Sequence, residues 1–313
     1  MKIIDLRSDT VTLPSDNMLN QIKKSKLGDD VYMEDITTNN LENLASDLTG
    51  KESALLVSSG TMGNLISFLV HCERGSEAIM GNKSHTFLYE SGGISAYGGI
   101  HSHQLENNYD GTIDLTKIKN SIRTNDVHFP STRLISIENT HNKCYGFPLQ
   151  LDYIDKLSDI ANENNIKIHM DGARIFNASI SIGSSVKNIL KRIDSVSFCL
   201  SKGLGSPIGS IICGTNQFIS RARRIRKSLG GGMRQTGIIS SFGIYSLKNM
   251  IDRLKIDHSN AQYLATHLNK LNFINTKPEY VKTNIVYFKF NHSELEFEKF
   301  LNYCKYNKIL FGI

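Results

Sequence analysis

Cysteine is scarce in this chain, and the few present are not arranged for chemistry of their own. There are five, Cys72, Cys144, Cys199, Cys213 and Cys304, among 313 residues. The number is odd and no two form a CxxC, so neither a disulfide framework nor a zinc site is expected. Cys72 and Cys199 lie in apolar runs, as small core residues do. No apolar run is long enough to span a membrane, and Met1-Lys2-Ile3-Ile4-Asp5 has no signal core. A reducing cytoplasm is therefore the expected compartment. Internal repeats and low-complexity segments are missing too. Charge of one sign is in slight excess only, with a net charge of +6 and a pI of about 8.9. That suits an anionic ligand without calling for nucleic acid. The densest basic stretch, Arg221-Ala222-Arg223-Arg224-Ile225-Arg226-Lys227, reads as a solvated helix face or one that meets a partner subunit.

What is there is an ordinary globular composition, 40% hydrophobic and 21% charged, long enough for one large domain and a smaller one. Strand-like and helix-like segments alternate. Leu41, Leu44, Ala45 and Leu48 fall at helical spacing before Gly50. Ala54–Val57 reads as a strand, Gly60–Cys72 as a helix with Gly75 beyond it, and Ala78–Met80 as a second strand. Leu134–Ile137 is another strand and Leu151–Ala161 another helix. The runs Ile166–Met170 and Val196–Ser201 read as buried strands, with helical Val186–Ile193 between them. This alternation predicts an α/β fold with a mainly parallel sheet covered by helices. Beyond about Gly237 the pattern changes. Long helices run from Ile238 to about Leu271, a strand covers Thr283–Phe290, and a helix runs from Ser293 to about Tyr306. The expected division is a large domain over 1–245, whose N-terminal arm joins a smaller α+β domain over 246–313. The last residues, Lys308 to Ile313, read as the start of a strand.

Asp171 and Lys202 each sit just past an apolar run. They would meet at the carboxyl edge of the sheet, where open α/β sheets bind ligands. An Asp facing a pyridine nitrogen and a Lys forming a Schiff base are the protein groups that pyridoxal 5'-phosphate (PLP) chemistry needs most. Gly172 permits a tight turn after Asp171, and Arg174 would point back toward an anionic site. The bland alternative is an Asp–Arg surface pair of little energy. Lys202 lies in a glycine-rich turn where desolvation could make its amine a nucleophile. Otherwise it simply exits to water. Ser58-Ser59-Gly60-Thr61-Met62-Gly63-Asn64 joins a strand to a helix whose first N–H groups can hold a phosphate, or else it is a small-residue packing turn. His85 falls where an imidazole could stack on a flat cofactor. His128 has less support from the local pattern.

Together these segments resemble the low-specificity L-threonine aldolases, PLP-dependent enzymes with the aspartate-aminotransferase-like fold. The similarity runs from Leu6-Arg7-Ser8-Asp9-Thr10-Val11-Thr12 to at least Gly237. It takes in Asp30-Val31-Tyr32-Met33-Glu34-Asp35, Ser59–Asn64, Glu138-Asn139-Thr140-His141-Asn142, His169–Arg174, Phe198–Gly203 and Gly230-Gly231-Gly232-Met233-Arg234-Gln235. The resemblance implies that Lys202 is the Schiff-base lysine and that Asp171 keeps the pyridine nitrogen protonated. It implies that Arg174 contacts the cofactor's phenolate oxygen and the substrate carboxylate. Gly60 and Thr61 would hold the phosphate, His85 would stack on the ring, and Ser8 would help bind the substrate carboxylate. Tyr32 and Arg234 would complete sites across a subunit boundary of a homotetramer.

The implied reaction is retro-aldol cleavage of L-threonine or L-allo-threonine to glycine and acetaldehyde, with His85, His128 or a bound water as the base. Two departures stand out. Met33 occupies the place of a family glycine, and the chain stops at Ile313, before a further strand whose arginine clamps the substrate carboxylate in the family. The alternatives are another PLP enzyme of the same fold, an aminotransferase or β-eliminating lyase, or a non-catalytic subunit that holds PLP.

Overall fold

The computed structural model describes residues 3–312. Ile313, at the end of the expected last strand, and Met1 and Lys2, in the stretch read for a signal core, lie outside the described residues. The strands are β1 Ile4–Leu6, β2 Ser53–Val57, β3 Glu77–Gly81, β4 His101–Leu105, β5 Thr132–Glu138, β6 Lys167–Asp171, β7 Ser195–Cys199, β8 Ser210–Gly214, β9 Ile274–Thr276, β10 Phe288–Phe290 and β11 Ile309–Phe311. The central sheet has the order β2-β8-β7-β6-β5-β3-β4. It is parallel except at β8, which runs antiparallel to both β2 and β7. Two reversals restore direction, so β2 runs the same way as β7. The carboxyl ends of β2, β3, β5, β6 and β7 therefore share one edge.

Helices cover both faces, which is why these strands are apolar on both sides. Alternate residues divide between the two. Ala54, Leu56, Ile79, Ile168, Met170, Val196 and Phe198 join the larger core. Leu55 and Val57 pack on the opposite face against Ile66 and Val70 of the helix Gly60–His71, with the helix Asn216–Ser228 behind. Under that same helix β6 and β7 turn inward not apolar residues but His169, Asp171, Ser195 and Ser197, all buried.

Two small sheets lie outside. β1 pairs in parallel with β11, and β9 pairs antiparallel with β10. The expected strand over Thr283–Phe290 shortens to Phe288–Phe290. Its first residues are drawn into contacts with the main body instead. Thr283 Oγ1 donates to the Gly146 carbonyl at 2.8 Å, and Asn284 Nδ2 donates to Asp9 at 3.1 Å. The helix expected over Val186–Ile193 stops at Ile189. Lys51 Nζ binds the carbonyls of Leu190 and Ile193 just beyond.

The basic stretch also departs from a simply solvated face. Arg226 is 2% exposed; it pairs with buried Asp30 and donates to the Leu56 carbonyl at 2.8 Å. Arg223 reaches Glu42 at 2.7 Å.

Candidate active site

The shared carboxyl edge gathers residues from five strands. Ser59 follows β2 and caps the helix Gly60–His71, its side chain accepting from Met62 N–H. Gly63 N–H bonds to the Ser59 carbonyl. The amides of Gly60 and Thr61 are left as first-turn donors at the positive end of the helix dipole. At Gly60 a Cβ would come within 3.1 Å of Cys199 Sγ. His85 follows β3, Glu138 ends β5 and Asp171 ends β6, where Glu138 and Asp171 are register partners. Half-buried Lys202 follows β7 by three residues, and its charge acts on Asp9 and Cys199.

Asp171 is 4% exposed. Its Oδ1 accepts from Ala173 N–H at 3.1 Å and its Oδ2 from Asn64 Nδ2 at 2.9 Å. The turn behind it is tight, because Gly172 N–H bonds to the Ser197 carbonyl at 2.8 Å. A Cβ on Gly172 would meet Val196 Cγ2 at 2.8 Å, so a larger residue would push Asp171 off the sheet edge.

His85 is anchored twice. Its backbone N–H donates to Glu138 Oε2 at 2.8 Å, and its Nδ1 lies 2.9 Å from Glu90 Oε1. The bond to Glu90 raises the imidazole pKa above its ordinary value, against the effect of burial. Glu90 is itself shifted upward by burial and by the charge of Asp171, against its bonds to His85 and Asn64. A ring nitrogen of His85 and carboxylate oxygens of Glu90 and Asp171 lie within 4.8 Å of one another.

Arg174 is buried. Its Nε and Nη2 each donate to a different oxygen of Asp9, both at 2.7 Å. Burial opposes the Asp9 carboxylate, but the guanidinium outweighs it and holds the pKa below the ordinary aspartate range. Nη1 of Arg174 remains as a donor. Reading the sequence singled out neither Asp9 nor Asn284, which also binds Asp9. The only signal was the position of Asp9 beside Ser8.

Among the described residues the other expected site residues make no side-chain hydrogen bond or ion pair with this cluster, although Ser8 adjoins Asp9 in the chain. Ser8 is exposed and caps the 3-10 turn Asp9–Val11, accepting from Thr10 N–H. Tyr32 is 71% exposed. Arg234 is exposed and pairs with Asp29 at 2.9 Å, and its carbonyl accepts from Asp30 N–H. Tyr32 and Arg234 are thus joined to each other through the Asp29–Tyr32 turn. His128 precedes β5, at the amino edge of the sheet. It is 80% exposed, with its Nδ1 2.7 Å from Asp126.

The donor set fits PLP. The Asp171 carboxylate is buried and makes no ion pair among the described residues, which is costly for an anion without a cationic partner. A protonated pyridine nitrogen is such a partner. Lys202 supplies an amine on the same edge, and the Gly60 and Thr61 amides are donors that a phosphate could take up.

Residues 5–291 match the model of the beta-eliminating lyase family. The chain is 46% identical over 290 residues to the probable low-specificity L-threonine aldolase 2 of Arabidopsis thaliana, covering 92% of this chain and 82% of that one. It is 46% identical over 266 residues to the low specificity L-threonine aldolase of Escherichia coli K12, covering 85% and 79%. The chain belongs to the low-specificity L-threonine aldolases of the beta-eliminating lyase family. Its fold is shared more widely. A putative L-allo-threonine aldolase of Listeria monocytogenes superposes with a TM-score of 0.82 at 22% identity, over 94% of this chain and 82% of that one. Within this family member, the carboxyl edge just described is the candidate active site.

Proposed function

We propose that the chain binds PLP at this edge and cleaves L-threonine and L-allo-threonine to glycine and acetaldehyde. One observation carries the reading. Asp171, a buried carboxylate without an ion-pair partner among the described residues, shares a sheet edge with the amine of Lys202. PLP, when bound, supplies a ring that takes up the electron pair released as the Cα–Cβ bond breaks.

The chain's own groups do the rest. Lys202 would offer the amine that holds the cofactor. Asp171 would face the ring nitrogen and favour its protonated form. The Gly60 and Thr61 amides would hold the phosphate. Because Glu90 engages His85 Nδ1, Nε2 is the nitrogen of His85 free to take the β-hydroxyl proton. As that proton leaves, the C–O bond becomes the carbonyl of acetaldehyde, and a proton returned at Cα completes glycine. Arg174, with Nη1 uncommitted, attracts the substrate carboxylate. Tyr32 and Arg234, both exposed and joined through the Asp29–Tyr32 turn, serve the site of a second copy in a homotetramer. The buried, unpaired cysteines fit a reducing cytoplasm, and no helix among the described residues is long and apolar enough to cross a membrane.

The test is direct. The purified protein should show a visible absorption band, and adding L-threonine should release acetaldehyde. Lys202→Ala should abolish both. A wild-type chain without the band would overturn the cofactor reading. A band without acetaldehyde would overturn the assignment of substrate, and a band unchanged in Lys202→Ala would overturn the lysine.

A further inference from the structure

Asn64 has no role in the reaction just described, yet its side chain is buried and fully engaged. Its Nδ2 donates to Glu90 Oε1 at 2.8 Å and to Asp171 Oδ2 at 2.9 Å. Its Oδ1 accepts from Ser197 Oγ at 2.5 Å and lies 3.1 Å from His169 Nε2. An amide oxygen only accepts, so His169 Nε2 carries the proton. His169 Nδ1 then accepts from Ser195 Oγ, 2.9 Å away. With its proton spent, the Ser195 oxygen accepts from His71 Nε2 at 2.7 Å. Burial pushes both imidazoles down, His71 to about 3 and His169 to about 4. Both are therefore neutral near pH 7, and one set of donors and acceptors satisfies every member.

We propose that Asn64 is a positioning residue for Asp171, and that the chain His71–Ser195–His169 backs its amide on the far side. The inference rests on the cofactor reading of the site and deepens it. Asn64 stands between two buried carboxylates, Glu90 and Asp171. Only an amide can give a proton to each of them while accepting on its far side. Turned over, it would point its oxygen at both anions. The two carboxylates therefore select the observed orientation, and on the far side His169 Nε2 and the Ser197 hydroxyl donate to the amide oxygen. The result is a carboxylate held in place without being neutralised, so that its charge stays available to a ring nitrogen. The helix Gly60–His71 supplies Asn64 and His71, and the alternation along β6 and β7 supplies the rest. The phosphate donors and the support of Asp171 thus come from one helix.

The test compares wild type with Asn64→Ala, Asn64→Asp and His71→Ala in the cofactor-loaded protein. The readouts are the pH dependence of the visible spectrum and the cofactor affinity. The titratable groups near Asp171 include His85, Glu90, His169 and Cys199, which feel its charge, and Glu138 and Lys202 on the same sheet edge. Taking a donor from an anion favours its protonation. Asn64→Ala should move the acid-side spectral midpoint upward and weaken cofactor binding at least about tenfold. Asn64→Asp keeps the volume, adds a third carboxyl group, and should shift the midpoint further. It also covers the case in which Asn64→Ala does not fold. His71→Ala, at the half-buried end, should give a smaller upward shift. A purely structural Asn64 would lower thermal stability and leave the midpoint alone. An unchanged midpoint and affinity in Asn64→Asp would overturn the proposal, and an unchanged His71→Ala spectrum would overturn the part played by the chain. A wild-type protein without a visible band would remove the cofactor reading and this inference together, so the two failures are distinguishable.

Discussion

Asp9 and Arg174, 165 residues apart, close a two-pronged ion pair in which each carboxylate oxygen meets a different guanidinium nitrogen at 2.7 Å. Both side chains are 8% exposed. The pair ties the amino-terminal segment to the turn after β6, and Asn284 extends it to the carboxyl-terminal part.

Asp9→Asn should destabilise the fold by about 3–5 kcal/mol, because it leaves the buried Arg174 charge uncompensated. The folded pKa of Asp9 is lowered, so its stabilisation is complete above the ordinary aspartate pKa. It is lost as pH falls through the folded value. Urea titrations across acid pH should show that dependence in wild type and a weaker one in Asp9→Asn.

Glu90→Gln should move the alkaline-going rise of activity to lower pH. Glu90 raises the His85 pKa, and a base works only when neutral, so removing the charge frees His85 earlier on the way up. The kcat profile of the two proteins against pH checks this. No shift, or a shift upward, would remove His85 as the proton acceptor.

Asp30→Asn should cost about 3–5 kcal/mol, since Arg226 beneath it is as buried as Asp30 itself. Chemical denaturation measures the loss. The same change should loosen the Asp29–Met33 turn, seen as faster amide exchange at Tyr32 with little change at Asp171.

Met33→Gly should stabilise the chain by up to ~1 kcal/mol. Met33 closes the 3-10 turn Asp30–Tyr32 in the left-handed region, at φ 62. A glycine adopts that conformation without a Cβ penalty. A lower melting temperature in Met33→Gly would mean that the Met33 side chain makes compensating contacts.

Much of this was legible in the sequence where local pattern and tertiary need agree. The helix Ile36–Thr49 ends at Gly50 in the left-handed conformation, as its spacing and stop residue imply. The strands ending at Val57, Asp171 and Cys199 lie where their apolar runs place them. The alternation His169, Asp171 and Ser195, Ser197 was also present as a pattern. A strand with polar residues on one face ordinarily signals a face turned to water, so it did not announce a buried network. β8 escaped notice because it follows a glycine-rich turn and carries no polar flag, and β4 because its residues are mixed.

By itself the sequence determined the elements and the chemical types available, because strand and helix periodicity and turn chemistry act over a few residues. It placed Asp171 and Lys202 each at the end of a strand. Only the tertiary structure decided which ends meet. The order β2-β8-β7-β6-β5-β3-β4, with β8 alone running the other way, carries Gly60, His85, Glu138, Asp171 and Lys202 to one edge and leaves His128 at the other. It alone set Asp9 against Arg174 and Asn64 between Glu90 and Asp171, since those contacts depend on strand pairing and helix packing between segments far apart in the chain.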